Sequence, residues 1–172
     1  MLNYVVDPRL ITPLVPAETE IDFENGETFL SVVGFLFLDT RLLGLPIPLH
    51  RDFEEVNLRF YVRRKSADTW RRGRKWESLK MTGTGEPQMI PAGSHAEFIT
   101  EHYWGYTPLR SGCSEYRVEH PRWKIWSATS FELNANVAVL YGEQFAETLN
   151  QQPRSAFIAD GSPITVQKRQ ML

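Results

Sequence analysis

The feature that most constrains this 172-residue sequence is a two-residue alternation of side-chain chemistry from Glu55 to Val62, within the segment Phe53 to Arg63. Successive side chains of a β-strand point to opposite faces, so this pattern predicts a strand with one apolar and one polar face. The apolar face consists of Val56, Leu58, Phe60 and Val62. The polar face consists of Glu55, Asn57, Arg59 and Tyr61.

A second strand is predicted by the almost continuously apolar run from Thr28 to Leu38, which follows the turn signal Asn25-Gly26. A run without alternation is typical of a strand buried on both faces. The next segment, Arg41 to Leu49, contains two prolines that do not fit a central strand. We expect it to form a crossing loop.

A helix is predicted from about His95 to Trp104. Ser94 and Glu97 have the capping-box spacing, in which the hydroxyl and the carboxylate each accept a backbone N–H at the helix start. Gly105 is placed to end this helix.

The remaining segments have weaker patterns. They predict strands at Trp76 to Met81 and at Glu115 to Trp126, where Pro121 marks an edge position or a bulge. They also predict a short helix within Leu140 to Asn150 and two strand-like pieces between Ala156 and Val166. A chain of this length with 42% hydrophobic and 23% charged residues is typical of one globular domain. We therefore predict a single mainly β (α+β) domain over residues 1–172, antiparallel, with one or two short helices.

The single cysteine, Cys113, excludes an internal disulfide and a cysteine-based zinc cluster. The segment Met1 to Leu10 carries Asp7 and Arg9 and has no long apolar run, so we expect neither a signal peptide nor a membrane-spanning helix. These features predict a cytoplasmic protein without a membrane partner.

Positive charge is concentrated between Arg63 and Lys80, where eight basic and two acidic residues give a net charge of +6, although the whole chain carries −2. Trp70 and Trp76 lie within this segment, and aromatic rings among cations are used to bind single-stranded nucleic acid. Arg-rich and Lys-rich hairpin loops are nevertheless common on ordinary surfaces. We therefore expect no nucleic-acid partner.

The polar face of the first predicted strand is the candidate binding site. Arg59 could hold a carboxylate through two parallel hydrogen bonds, and Glu55 could act as an acid or a base if it were partly buried. The same alternation is also typical of the solvent face of a half-buried antiparallel strand. Both interpretations remain open from the pattern.

Two histidines, His102 and His120, are further candidate ligand-binding residues. Each is more often a hydrogen-bonded structural histidine than a catalytic one. His95, His102 and His120 lack the spacing of metal ligands, and no phosphate-binding loop or nucleophile-elbow motif is present. We predict no metal and no cofactor, and the sequence does not decide whether the protein is an enzyme.

Three stretches together resemble the YqjF-like bacterial proteins, domain-of-unknown-function family 2071. They are His50 to Val62, Glu97 to Tyr106 and Val118 to Trp123, and Gly34 to Phe37 with Ser155 to Ser162 extend the similarity. The resemblance implies a fold similar to acetoacetate decarboxylase, a closed antiparallel β-barrel around an internal cavity.

Compared with that family, the chain looks short at Arg71 to Trp76, where several strands and the segment matching the decarboxylase's reactive lysine pair are missing. An incomplete barrel has open edges that another chain or charged side chains must cover. We therefore expect Arg63 to Lys75 to form an exposed, weakly packed connection, and an adjacent edge to pair across a homodimer or to be shielded by charge.

Two functions follow from these observations. In the first, a cavity lined by Glu55, Asn57, Arg59 and Tyr61 binds a small carboxylate-bearing molecule. In the second, the domain is a non-catalytic binding or scaffold module that self-associates through its exposed edge.

Overall fold

The computed structural model describes residues 1–17, 19–42, 44–47, 51–64, 78–108 and 113–171. The described part is mostly antiparallel β-structure with four short helices. The strands are β1 Leu2–Val6, β2 Thr19–Ile21, β3 Thr28–Phe37, β4 Arg41–Leu42, β5 Leu45–Pro46, β6 Phe53–Phe60, β7 Val62–Arg64, β8 Ser78–Gly83, β9 Gln88–Met89, β10 Trp104–Pro108, β11 Cys113–Glu119, β12 Lys124–Asn134, β13 Ser155–Ala159, β14 Thr165–Val166 and β15 Gln170–Met171. The helices are α1 Pro8–Ile11, α2 His95–Thr100, α3 Val137–Tyr141 and α4 Ala146–Leu149.

The main sheet has seven strands within the described residues. Its order is β6-β3-β1-β13-β12-β8, and β9 pairs with β12 beside this path. A smaller sheet contains β10, β11, β14 and β15, and two-stranded pairs form between β2 and β7 and between β4 and β5. The predicted mainly β, antiparallel fold is confirmed.

The main sheet curls into a half-barrel, which is consistent with an incomplete β-barrel. Strands β3 and β8 are separated by three strands in the sheet order, yet a Cβ placed on Gly34 of β3 would lie 3.6 Å from Leu79 Cδ2 of β8. A flat sheet would hold these residues several strand spacings of about 4.8 Å apart. The curl therefore brings the two ends of the sheet toward each other.

Each face of the main sheet is covered by a hydrophobic cluster. The larger cluster, which we call the large core, contains Leu2, Tyr4, Val6, Ile11, Leu30, Val32, Val137, Phe145 and Leu149. The small core contains Phe29, Tyr61, Ile99 and Phe157. Val56, Leu58 and Phe60 of β6 pack against the large core, whereas Tyr61 belongs to the small core. The alternation therefore separates the two faces of β6 as predicted. The strand predicted from Phe53 to Arg63 is, however, divided at Tyr61 into β6, which pairs with β3, and β7, which pairs with β2.

The predicted helix from His95 to Trp104 is wrong at its C-terminal end. Helix α2 ends at Thr100, and Glu101 leaves the helical conformation with φ −93° and ψ 42°. Gly105 lies in β10, opposite Tyr116 of β11, rather than at a helix end. Pairing with β11 gives the backbone of Trp104–Pro108 hydrogen-bond partners that a longer helix would have supplied locally.

Other boundaries also differ from the predictions. The expected crossing loop after β3 contains the β4–β5 hairpin, because Gly44 adopts φ +83° and allows a tight turn. The short helix predicted within Leu140 to Asn150 is α4, and a further helix, α3, ends just before Gly142, whose φ is +106°. The described residues thus hold four short helices, not one or two.

The predicted strand from Glu115 to Trp126 is two strands. Strand β11 ends at Glu119 and β12 begins at Lys124, on either side of Pro121, and they belong to different sheets. The run from Thr28 is fully buried only through Val33, and Leu36 is exposed. The predicted exposed connection from Arg63 to Lys75 lies outside the described residues except for Arg63 and Arg64, which pair with β2.

Candidate functional site

A row of four polar side chains crosses the middle of the main sheet. Arg59 on β6 is opposite Ser31 on β3, Ser31 is opposite Asn3 on β1, and Asn3 is opposite Ser155 on β13. Residues opposite each other in neighbouring strands point to the same face. We call these four residues the polar row.

The polar row is unusual because two of its members, Asn3 and Ser31, are completely buried, each with 0% exposure. Burying a polar group without a hydrogen bond costs about 1–3 kcal/mol, so their partners matter. Asn3 Nδ2 donates to Ser155 Oγ at 2.8 Å, and Ser31 Oγ donates to Asn3 Oδ1 at 2.6 Å. Tyr61 OH is 2.6 Å from Ser31 Oγ. Because Ser31 has one hydroxyl proton and gives it to Asn3, Tyr61 is the donor in that pair.

The row continues from Ser155 to a histidine and a carboxylate. His95 Nε2 is 3.0 Å from Ser155 Oγ, and His95 Nδ1 is hydrogen-bonded to Glu24 Oε2. A neutral imidazole that donates from Nδ1 to the carboxylate accepts the Ser155 hydroxyl proton at Nε2. All five bonds then run in one direction, from Tyr61 through Ser31, Asn3 and Ser155 to His95 and Glu24. Hydrogen bonds aligned in this way polarise one another.

Local structure holds both ends of the His95–Glu24 pair. His95 is the first residue of α2, whose N-cap Ser94 accepts a hydrogen bond from the Glu97 N–H at 3.2 Å. Glu24 begins a tight turn closed by backbone hydrogen bonds with Glu27 in both directions, at 2.9 and 3.0 Å. Positive φ at Asn25 and Gly26 makes that turn possible. The pair remains partly open to solvent, with the His95 side chain 27% and the Glu24 side chain 14% exposed.

Arg59 marks the other end of the polar row. Its guanidinium Cζ lies 4.6 Å from the centroid of the Phe35 ring, a cation–π distance. Burial and, to a smaller degree, the positive charge of Arg59 lower the pKa of the Met1 amino group to about 5. The Arg59 charge therefore acts on the same face that carries the polar row.

The predicted site residues on β6 line this face together with Arg59. Asn57 is opposite Val33 and Glu55 is opposite Phe35 in the register with β3. Asn57 and Tyr61 are each only 2% exposed, and Glu55 is half-buried. Asn57 and Tyr61 therefore lie in the protein interior, whereas Glu55 and Arg59 are half-buried at its margin.

The two predicted histidines occupy different places. The His102 ring is 5.0 Å from the Tyr61 ring, and its Nε2 is 3.8 Å from Asp22 Oδ2. Among the described residues its Nδ1 has no hydrogen-bond partner. His120 stacks on Trp123 at 4.0 Å, and its Nδ1 is 2.9 Å from the Pro121 carbonyl oxygen. His102 thus adjoins the polar row through Tyr61. Within the described part of the chain, the contacts of His120 are with Tyr103, Pro121 and Trp123 instead.

Sequence reasoning missed the residues that carry most of the hydrogen bonds: Asn3, Ser31, Ser155, His95 and Glu24. A signal was present for two of them, because Asn3 and Ser31 are isolated polar residues within apolar strand sequences. A polar residue in such a run needs a buried partner. From the sequence, His95 is considered only at the helix start and for metal-ligand spacing, and the turn that places Glu24 beside it is distant in sequence.

Other parts of the described chain offer less chemistry. No group of three or more His, Cys, Asp or Glu residues in the described ranges could hold a metal ion. Burial raises the pKa of the Cys113 thiol, which disfavours the reactive thiolate. A surface depression of about 150 Å³ is lined by Tyr4, Val5, Thr148, Gln151, Gln152 and Arg154. None of the helices described is long and apolar enough to cross a membrane.

These observations define a curled antiparallel half-barrel with a hydrogen-bonded polar row on one face of its sheet. The chain belongs to the DUF2071 family of uncharacterized conserved proteins, whose model matches residues 1–82 and 69–163. It is 39% identical over 61 residues to "Uncharacterized protein YqjF" of Bacillus subtilis (strain 168), a match that covers 35% of this chain and 25% of that relative. No solved structure matches the chain.

Proposed function

We propose that the protein binds a small carboxylate-bearing molecule on the face of the main sheet that carries Arg59. The observation that supports this most is that Arg59 shares one sheet face with the buried polar side chains of Ser31 and Asn3, while its guanidinium lies against the Phe35 ring. Ligand sites typically combine an apolar lining with a few fixed polar groups. Here the Phe35 ring lies under the guanidinium, and Asn57 and Tyr61 are buried beside it.

Charge supports an anionic ligand. Burial and, to a smaller degree, the charge of Arg59 lower the pKa of the Met1 amino group, and the second effect is the one expected of a nearby cation. A guanidinium binds a carboxylate through two parallel N–H donors, which a lysine ammonium does not reproduce. The proposal therefore assigns the anchoring role to Arg59 and the orienting role to neighbouring hydrogen-bonding side chains.

The proposal is tested by thermal-shift screening against a panel of small mono- and dicarboxylates, followed by calorimetric titration of those that stabilise the protein. The Arg59→Gln variant should lose the stabilisation, and Arg59→Lys should retain only part of it. Arg63→Gln is the matched control, because Arg63 is exposed and pairs with Glu20 through Nε at 2.8 Å. A panel without a stabilising carboxylate, or equal binding by R59Q, contradicts the proposal.

A second candidate function is self-association, with a homodimer as the simplest product. Within the described residues, strand β6 pairs only with β3 and β8 pairs only with β12, so both ends of the main sheet have an open edge. Leu36 and Leu38, near the end of β3, are 64% and 68% exposed. Exposed strand edges with apolar neighbours favour strand pairing between chains.

Light scattering after gel filtration tests this second candidate. A dimer that becomes monomeric in the Leu36→Glu variant would support it. Val139→Glu is the control, since Val139 is 65% exposed but lies on helix α3. A wild-type monomer at high concentration would exclude self-association as the function.

A further inference from the structure

We propose that Ser155 is a nucleophile that His95 activates as a general base and that Glu24 positions His95, so that the protein cleaves a small ester. This goes beyond ligand binding at Arg59, because it assigns covalent chemistry to the opposite end of the polar row. The observation that carries it is the pair of hydrogen bonds from His95, one to Ser155 Oγ at 3.0 Å and one to the Glu24 carboxylate.

Nucleophilic serine catalysis requires a hydroxyl within about 2.6–3.2 Å of a base and a third group that fixes the tautomer of that base. All three groups are present in the required order. The Glu24 carboxylate accepts the Nδ1 proton, which leaves the Nε2 lone pair directed at the Ser155 hydroxyl. Three separate elements supply these groups: the turn at Glu24, the start of α2 and the start of β13.

Asn3 gives Ser155 a further property. Its Nδ2 donates to Ser155 Oγ at 2.8 Å from a completely buried position, which fixes the Ser155 side chain so that the hydroxyl proton is directed at His95 Nε2. A nucleophile held in one orientation toward its base loses less entropy on the way to the transition state. Ser155 and His95 are nevertheless only partly buried, which leaves a route for a substrate.

The proposed reaction balances with water as the second reactant. Ser155 Oγ forms a bond to the acyl carbon of the ester while its proton moves to His95 Nε2. The bond between the acyl carbon and the alcohol oxygen breaks, and that oxygen takes the proton from His95. Water then attacks the acyl-serine, gives a proton to His95, and releases the carboxylic acid as the Ser155 hydroxyl is restored.

Labelling with a fluorophosphonate probe tests the proposal without knowledge of the substrate. Intact mass and peptide mapping should show one label per chain on Ser155. The Ser155→Ala variant should remain unlabelled, whereas Ser127→Ala, which changes an exposed serine of β12, should label like the wild type. His95→Gln should slow labelling roughly 100-fold, the usual contribution of a general base.

Glu24 acts through His95 and is therefore a positioning residue. Glu24→Gln should slow labelling roughly 10-fold or more, and Glu24→Asp, which keeps a carboxylate, should recover part of that loss. Thermal unfolding of both variants provides the check on folding. If S155A does not fold, the site of modification in the wild-type protein still decides the question. Absence of a label, a label on another residue, or unchanged labelling of H95Q would overturn the proposal.

Discussion

Asn3 Nδ2 donates a 2.8 Å hydrogen bond to Ser155 Oγ across two neighbouring strands, although 152 residues separate them in the sequence. The same Asn3 side chain accepts a hydrogen bond from Ser31, so it joins three strands of the main sheet through its two polar atoms. The hydrogen bonds that link Ser31 to Ser155 therefore depend on one completely buried amide.

Replacing Asn3 with Ala should lower the free energy of unfolding by about 2 kcal/mol or more. The change removes two hydrogen bonds and leaves Ser31 Oγ without the acceptor that Asn3 supplied, and each buried polar group left unpaired costs about 1–3 kcal/mol. Urea denaturation followed by circular dichroism measures the difference. The Asn150→Ala control changes an exposed residue and should stay within about 0.5 kcal/mol of the wild type. Equal effects of the two variants would show that the polar row does not stabilise the fold.

Replacing each of two glycines in the main sheet with alanine should have opposite effects on thermal stability. A Cβ on Gly83 would lie 2.8 Å from Trp126 Cβ, whereas a Cβ on Gly34 would lie 3.6 Å from Leu79 Cδ2. The first contact is too close for two carbon atoms, and forcing such contacts costs about 1–3 kcal/mol. We expect Gly83→Ala to lower the thermal midpoint. Gly34→Ala should leave the midpoint unchanged or raise it, because an unfolded chain with alanine has less conformational entropy to lose on folding than one with glycine. A more stable G83A protein would contradict the close approach of β8 and β12.

Stability at high pH should depend on Tyr4. Burial raises the pKa of this tyrosine from 10.0 to about 12, so its ionisation is easier in the unfolded chain than in the folded one. The contribution to stability is complete below pH 10 and is lost as the pH rises through 12, for a total of about 2–3 kcal/mol. Urea midpoints measured from pH 8 to pH 11 should fall for the wild type and fall less for Tyr4→Phe. Parallel curves for the two proteins would contradict this assignment.

The cap of helix α2 should matter more than its length of six residues suggests. Ser94→Ala removes the hydroxyl that accepts the Glu97 N–H, which costs about 1 kcal/mol at a typical N-cap. The same change loosens the helix start that holds His95, so fluorophosphonate labelling of Ser155 should also slow. Ser130→Ala on β12 is the control, since Ser130 is exposed. Unchanged stability and labelling in S94A would show that α2 is held by its packing alone.

The sequence predicted those parts of the fold that depend on local pattern. The alternation in β6 identified its two faces, and the Ser94 cap located the start of α2. The position of Gly105 gave a wrong end for that helix, because the pairing of β10 with β11 determines where the helix stops. Hydrogen bonds between β10 and β11 therefore outweighed the local preference of Gly105 for a helix end.

The candidate site could be predicted only in part for a related reason. Asn57 and Arg59 share strand β6 and Tyr61 directly follows its end, so their alternation alone placed them on one face. Asn3 and Ser155 join them through the register of β1 with β3 and β13. No local sequence pattern predicts that register, because the paired strands are distant in the chain. His95 and Glu24 come together only after the helix has packed on the sheet.

The central place of β1 determines when the protein can complete its fold. Its partner strand β13 begins at Ser155, and 152 residues separate Asn3 of β1 from Ser155, so that edge of β1 stays uncovered until this length of chain has been synthesised. Contacts between such distant segments form slowly because a long loop must close first. Until then the nascent chain exposes an apolar strand edge of the kind that promotes aggregation and that chaperones bind. Yield in cells should therefore depend on chaperone capacity and expression temperature more strongly than the final stability would suggest.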